Sequence, residues 1–205
     1  MEAVDAIALG MGAAWASGIN LYAAVFMLGL LQRMGHIVLP PDLAFVADPL
    51  VMGAAGLLYL AEFFADKTPG VDTGWDALHA FVRIPGGAIL AAGALGELSP
   101  AAELAGYLLG GGLAAGSYTL KAGGRVLINT SPEPFTNWAA SIAEDVAVIA
   151  GLWTALRHPW LFLGLLVLFL VVLAWLLPRL WRGIRALAAR IGRRGGGGGR
   201  RAEEG

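Results

Sequence analysis

No cysteine occurs among the 205 residues, which removes disulfides, thiolate nucleophiles and cysteine-held zinc or iron–sulfur centres. Charge is scarce as well. Only 14% of residues are Asp, Glu, Lys or Arg, against about a quarter in ordinary soluble domains. The opening residues, MEAVDAIALG, lack the basic stretch of a secretory signal, so the first hydrophobic segment is expected to be retained. Phosphate-cradling glycine motifs are missing: GGAILAAG has no strand pattern before it, and no Walker loop or nucleophile elbow occurs. The cofactor is left unknown, with none as one outcome, nucleic acid is not an expected partner, and catalysis is the less favoured reading.

What is present is apolar. Hydrophobic residues make up 58% of the chain and the mean hydropathy is +0.69. The stretch WLFLGLLVLFLVVLAWLL, residues 160–177, has no polar side chain, the mark of a helix solvated by lipid. The expected fold class is an all-α polytopic membrane bundle of about six transmembrane helices, with the lipid bilayer as its first partner. The segments fall at 6–31, 43–65, 75–95, 101–128, 138–156 and 160–177. The prolines of LPPD separate the first two, with Asp42 as the expected cap. Ser99 and Pro100 suit the start of the fourth, and RHPW links the last two tightly.

The first segment carries Ser17, Gly18 and Asn20 near its middle, compatible with close helix packing or with local unwinding around a site. The fourth carries Gly106, Gly110, Gly112 and Gly116 at GxxxG spacing, which offers flat strips for helix packing or for a homo-oligomer. Two domains are read: a transmembrane part at 1–178, and a basic, amphipathic, Gly/Arg-rich tail at 179–205 whose end is expected to be disordered. Eight of the twelve arginines lie between Arg179 and Arg201. The positive-inside rule then puts the C-terminus in the cytoplasm, and six spans would put the N-terminus there too, in a bacterial inner membrane. Leu180, Ile184, Leu187 and Ile191 can share a tail face that lies on anionic lipid headgroups.

Internal duplication is suggested in two competing registers. TPGVDTGWDALHA lies on SPEPFTNWAASIA without gaps, which implies a parallel repeat. Alternatively, WASGINL lies on LAAGSYT and LAEFFA on IAEDVA, which implies an inverted one.

The ionisable residues carry the functional question. Asp72, Asp76, His79 and Arg83 are 4, 3 and 4 positions apart and share one helix face, just ahead of Pro85 and Gly86–Gly87. Glu62 and Asp66 sit one turn apart, and Glu144 and Asp145 fall deep in the fifth segment, with Lys121 and Arg125 as potential partners. Each such residue within a span costs about 2.5–3.5 kcal/mol on insertion scales, so these groups are expected to face the bundle interior and pair. With Asn20 and Asn137 they form the candidate pathway: Asn20, Glu62, Asp66, Asp72, Asp76, His79, Arg83, Arg125, Asn137, Glu144 and Asp145. A divalent cation would be held by Asp72, Asp76 and His79. A proton relay would use Glu62, Glu144 and His79.

ASGINLYAAVFMLGLLQR, EFFADKTPGVDTGWDALHAFVRIPGGAILA and NWAASIAEDV together resemble the domain-of-unknown-function 4126 family of bacterial integral-membrane proteins. The resemblance implies a membrane protein and brings no catalytic residue. The expected function is a small transporter or channel with an intramembrane polar site. The alternatives are a non-transporting scaffold or assembly factor and, below it, a membrane-embedded enzyme acting on lipid headgroups.

Overall fold

A computed structural model describes residues 2–68, 71–129 and 134–195, without the side chains of 72, 73, 134 and 186–195. The described chain forms six α-helices and one 3-10 helix, with no strand: α1 (Ala3–Arg33), the 3-10 helix (Pro41–Ala47), α2 (Pro49–Ala65), α3 (Val71–Leu95), α4 (Pro100–Ile128), α5 (Pro134–Arg157) and α6 (Pro159–Gly195). The all-helical expectation holds. The cap of α2 is Asp48, whose carboxylate accepts the Leu50 N–H at 2.8 Å. Asp42, the cap expected from sequence, sits instead in the first turn of the 3-10 helix, because LPPD starts that helix first. Ser99 caps α4 through the Ala102 N–H, with Pro100 at the first helical position.

The first segment is not one rod. Asn20 has φ −151° and ψ 93° inside α1, so two helical arms, 3–19 and 21–33, meet at that residue. The contacts show them folded back on each other. Gly151 of α5 lies against Trp15, while its neighbour Ala150 lines a groove with Met27. In a straight helix those two α1 positions would be about 18 Å apart. Leu9 and Leu28 join the same buried cluster, and the 3-10 helix closes it, with Leu43 against Gly93 and Val46 against Gly29. Asn20 is the tip of this V.

The other helices run alternately around it. The first arm runs antiparallel to α3, since Gly10 meets Ala94 and Gly87 meets Ser17. It runs parallel to α4, since Gly110 meets Ala14 and Gly18 meets Ser117. It is antiparallel to α5, where Gly12 meets Ala155 and Asn20 meets Asp145. α6 runs with α4, placing Leu173 on Gly116 and Leu180 on Gly123. All these helices therefore share two faces. The tail face gathers the ends of α2 and α4, the starts of α3 and α5, and the basic end of α6. The opposite face gathers both ends of α1, the 3-10 helix, and the link at His158.

Among the described residues four helices are long and apolar enough to cross a membrane: α1, 74–95 of α3, 135–157 of α5 and 159–185 of α6. The 3-10 helix with α2, bent by 61°, makes up to five. The expected six spans are not reached on length and composition. α2 has 17 residues, and Gly, Ser117, Tyr118 and Lys121 dilute the apolar content of α4. Although α1 qualifies by length, its two arms double back at Asn20. α6 continues as helix past Pro178, with Leu180 and Ile184 packed on Gly123; 196–205, where the disordered end was expected, lies outside the described residues. The helix directions suit the parallel register of the suggested repeat. They do not suit the inverted register, which pairs the first arm of α1 with α4 although the two run the same way. The duplication itself rests on sequence alone.

Glycine decides how close these helices come. A Cβ at Gly18 would collide with the Ser117 hydroxyl and the Ala114 carbonyl, and one at Gly110 with Ala91, whereas one at Gly112 meets nothing within 4 Å. Gly106 and Gly110 face α3 and Gly116 faces α6. Gly18→Val and Gly110→Val are expected to lower the thermal midpoint of detergent-purified protein through overpacking of about 1–3 kcal/mol. Gly112→Ala is expected to leave the midpoint unchanged or raise it, within about 1 kcal/mol of helix propensity. Scanning fluorimetry of the three variants checks the ranking.

Candidate functional site

The tip of α1 points into a buried charge cluster on the tail-facing side of the bundle. Unwinding at Asn20 frees two backbone groups, and both find partners. The Ala23 N–H donates to the Asn20 side-chain oxygen at 2.9 Å, and the Ile19 carbonyl accepts from the Lys121 ammonium at 3.0 Å. The Asn20 amide donates to Asp145 at 3.2 Å.

Three cations hold the centre. Arg83 bridges Glu62 and Asp76 at 2.7 Å each, with all three side chains at most 2% exposed. Lys121 lies 3.1 Å from Glu62, 3.1 Å from Asp66, 3.5 Å from Glu144 and 3.6 Å from Asp76. Arg125 pairs with Glu144 at 2.7 Å and Asp66 at 3.3 Å, and donates to the Asn137 side-chain oxygen at 3.0 Å and the Asp66 carbonyl at 2.9 Å. The Asn137 amide passes the network on to Asn129 at 2.9 Å. α2 contributes its last turn and its cap Asp66, α3 its first four turns, α4 its last three and α5 its first four, so the site needs all four helices and the α1 tip. Ser17 reinforces the junction, donating to the Arg83 carbonyl at 2.6 Å.

The pairing is incomplete. Glu62 Oε2, Asp66 Oδ1, Asp76 Oδ2 and Arg83 Nε are buried without a hydrogen-bond partner. Among the described side chains the ion-paired set holds four carboxylates (Glu62, Asp66, Asp76, Glu144) and three cations (Arg83, Lys121, Arg125), so −4 + 3 leaves a formal −1. Lys67, in the turn after α2, feels Asp145 and Asp66; burial lowers the pKa of its ammonium and the two carboxylates oppose that shift. A cavity of about 280 Å³ adjoins the cluster between α4, α5 and α6. Lys121, Arg125 and Glu144 form its polar wall, and Ile19, Leu120, Ile128 and Phe169 are among its apolar lining. Glu144 is part-exposed, its side chain 21% accessible.

Of the residues singled out in the sequence, Asn20, Glu62, Asp66, Asp76, Arg83, Arg125, Asn137, Glu144 and Asp145 come together here. Asp66 is buried and bridges Lys121 and Arg125. His79 stands aside. Its ring stacks on Trp75 at 4.2 Å and meets Tyr22 edge-on, with Nδ1 2.8 Å from the Trp75 carbonyl of its own helix. The Asp72 side chain lies outside the described residues. Among the described residues no three His, Asp or Glu side chains form a metal-binding group, because the point where the carboxylates converge is filled by the Lys121 ammonium. In the sequence Lys121 stands out only as a potential partner of Glu144 and Asp145. Its place at the centre depends on contacts across 55 and 59 positions.

Removing one partner of a buried pair is more damaging than the pair is stabilising, about 3–5 kcal/mol, because the other charge stays buried. Arg83→Met leaves Glu62 and Asp76 facing each other with Lys121 alone. Its thermal midpoint is expected to fall well below that of Glu144→Gln, a side chain already 21% exposed.

A family model described as a domain of unknown function (DUF4126) matches residues 7–179. No curated protein and no solved structure matches the chain.

Proposed function

Because the chain belongs to the DUF4126 family, a domain of unknown function, we propose its role from the buried cluster: a small membrane transporter or channel whose polar site lies at the tip of α1. One observation carries this reading: an unwound helix tip and an ion-paired set of four carboxylates and three cations meet beside a cavity, with a formal negative charge left over among the described side chains. A broken helix that presents freed backbone groups to charged side chains is how membrane carriers build ion and substrate sites. Buried charge without full compensation is costly in lipid, so a site that keeps it is suited to accept a counter-charge.

In this reading α1 is a re-entrant hairpin inserted from one side, and α2 to α6 make five crossings. The basic end of α6 is cytoplasmic by the positive-inside rule, with Arg179 stacked on Trp175 and Arg185 on Trp181 at anionic headgroups. The N-terminus then lies outside, opposite the tail, in place of the cytoplasmic position that six crossings would give. The absence of cysteine makes this directly testable with single cysteines. Glu2→Cys and Gly35→Cys are expected to react with an impermeant maleimide on intact cells, and Ala202→Cys only after permeabilisation. Reaction of Glu2→Cys and Ala202→Cys from the same side would refute the hairpin topology.

A scaffold reading is favoured by one specific observation, the multiple pairing of Arg83, Lys121 and Arg125. The two readings differ in flux. Proteoliposomes of the parent are expected to pass small ions that Glu144→Gln and Asp76→Asn pass at least several-fold more slowly, with folded yield retained for Glu144→Gln. Parent flux equal to that of empty liposomes, together with recovery of folding by the swapped pair Arg125→Glu with Glu144→Arg, would establish the scaffold instead.

A further inference from the structure

The geometry points to Lys121 as a tethered stand-in for the site's ligand: the oxygens around its ammonium form a binding site for a small primary ammonium cation. This rests on the transport reading above and names the substrate class for it. Five oxygens surround Nζ within 3.6 Å, namely Glu62 Oε1, Asp66 Oδ2, Asp76 Oδ1, Glu144 Oε2 and the Ile19 carbonyl. An ammonium has three N–H donors, so the shell offers more acceptors than one lysine can satisfy. The set is drawn from α2 and its C-terminal cap, α3, α5 and the α1 tip, and one of its members is free only because the helix breaks at Asn20.

Three further observations support a guest. Glu62, Asp66 and Asp76 each keep a second, buried oxygen without a partner. The described cluster is short of one positive charge, so a monovalent cation is the charge that completes it. The 280 Å³ cavity reaches both Lys121 and the part-exposed Glu144, which gives a small cation a way in and the lysine arm room to withdraw. Lysine fits this exchangeable role better than arginine, because it is a compact point charge on a flexible stem. Arg83 and Arg125 instead hold the carboxylates in place through two-pronged contacts.

The test uses the full chain in detergent. Lys121→Ala removes the tethered ammonium, and methylammonium chloride is expected to raise its thermal midpoint saturably, while choline chloride and sodium chloride at matched ionic strength do not. Lys67→Arg leaves Lys121 as the one lysine, so 15N-lysine labelling reports Nζ alone. Methylammonium is expected to shift or remove that resonance saturably, and choline to leave it. If Lys121→Ala cannot be recovered folded in any salt, the resonance decides alone. Equal effects of sodium and methylammonium, or no effect of either, overturn the assignment. Methylammonium binding without flux keeps this site and removes the transport reading; flux without methylammonium binding does the reverse.

Discussion

The contact between the Lys121 ammonium and the Ile19 carbonyl ties the fold to the site. A helix interrupted inside an apolar bundle leaves backbone groups that water cannot reach, each costing several kcal/mol if unpaired. Here the interruption is tolerated because a lysine from α4 takes the freed carbonyl and the Asn20 side chain takes the freed N–H. The same lysine is acceptable inside the bundle only because carboxylates from three other helices surround it. Backbone break and charge cluster thus stabilise one another. Neither would persist alone.

This mutual dependence explains the placement of small residues. The first arm of α1 can enter between α3, α4 and α5 because Gly10, Gly12 and Gly18 present no side chain, and because Gly87, Gly110 and Gly151 answer from the other helices. Close approach brings Ser17 to the Arg83 carbonyl and Ser117 to the Trp15 carbonyl, at 2.6 and 2.9 Å. These bonds fix the depth of the tip. A tip set one turn higher would lie about 5.4 Å away and leave Lys121 with carboxylates but no carbonyl.

The sequence made some of this legible. Helical spacing put Asp76, His79 and Arg83 on one face, and the improbability of ions at lipid depth marked Glu62, Arg125 and Glu144 as partners. The pairs Arg83–Asp76 and Arg125–Glu144 follow from those two arguments. Three things were hidden. His79 satisfies Nδ1 on its own helix, so its shared face does not bring it into the ion network. Lys121 looks like an end-of-helix cation, and its four carboxylates come from distant segments. The folding back of α1 was masked by a mostly apolar run, because hydropathy cannot register a reversal made at one residue. Ser17, Gly18 and Asn20 were the trace of it, and either meaning of that trace fitted the sequence.

Distance between the arms of α1 tests the account most directly. Spin labels on Ile7→Cys and Leu30→Cys, in a chain with no other cysteine, can be measured by double electron–electron resonance in detergent or lipid. A continuous helix would separate the two backbone positions by about 35 Å. The folded-back hairpin predicts a distribution centred well short of that value, and lengthened when Asn20→Leu restores helical continuity. A distribution centred near about 35 Å in the parent chain would contradict the hairpin, and with it the site built at its tip.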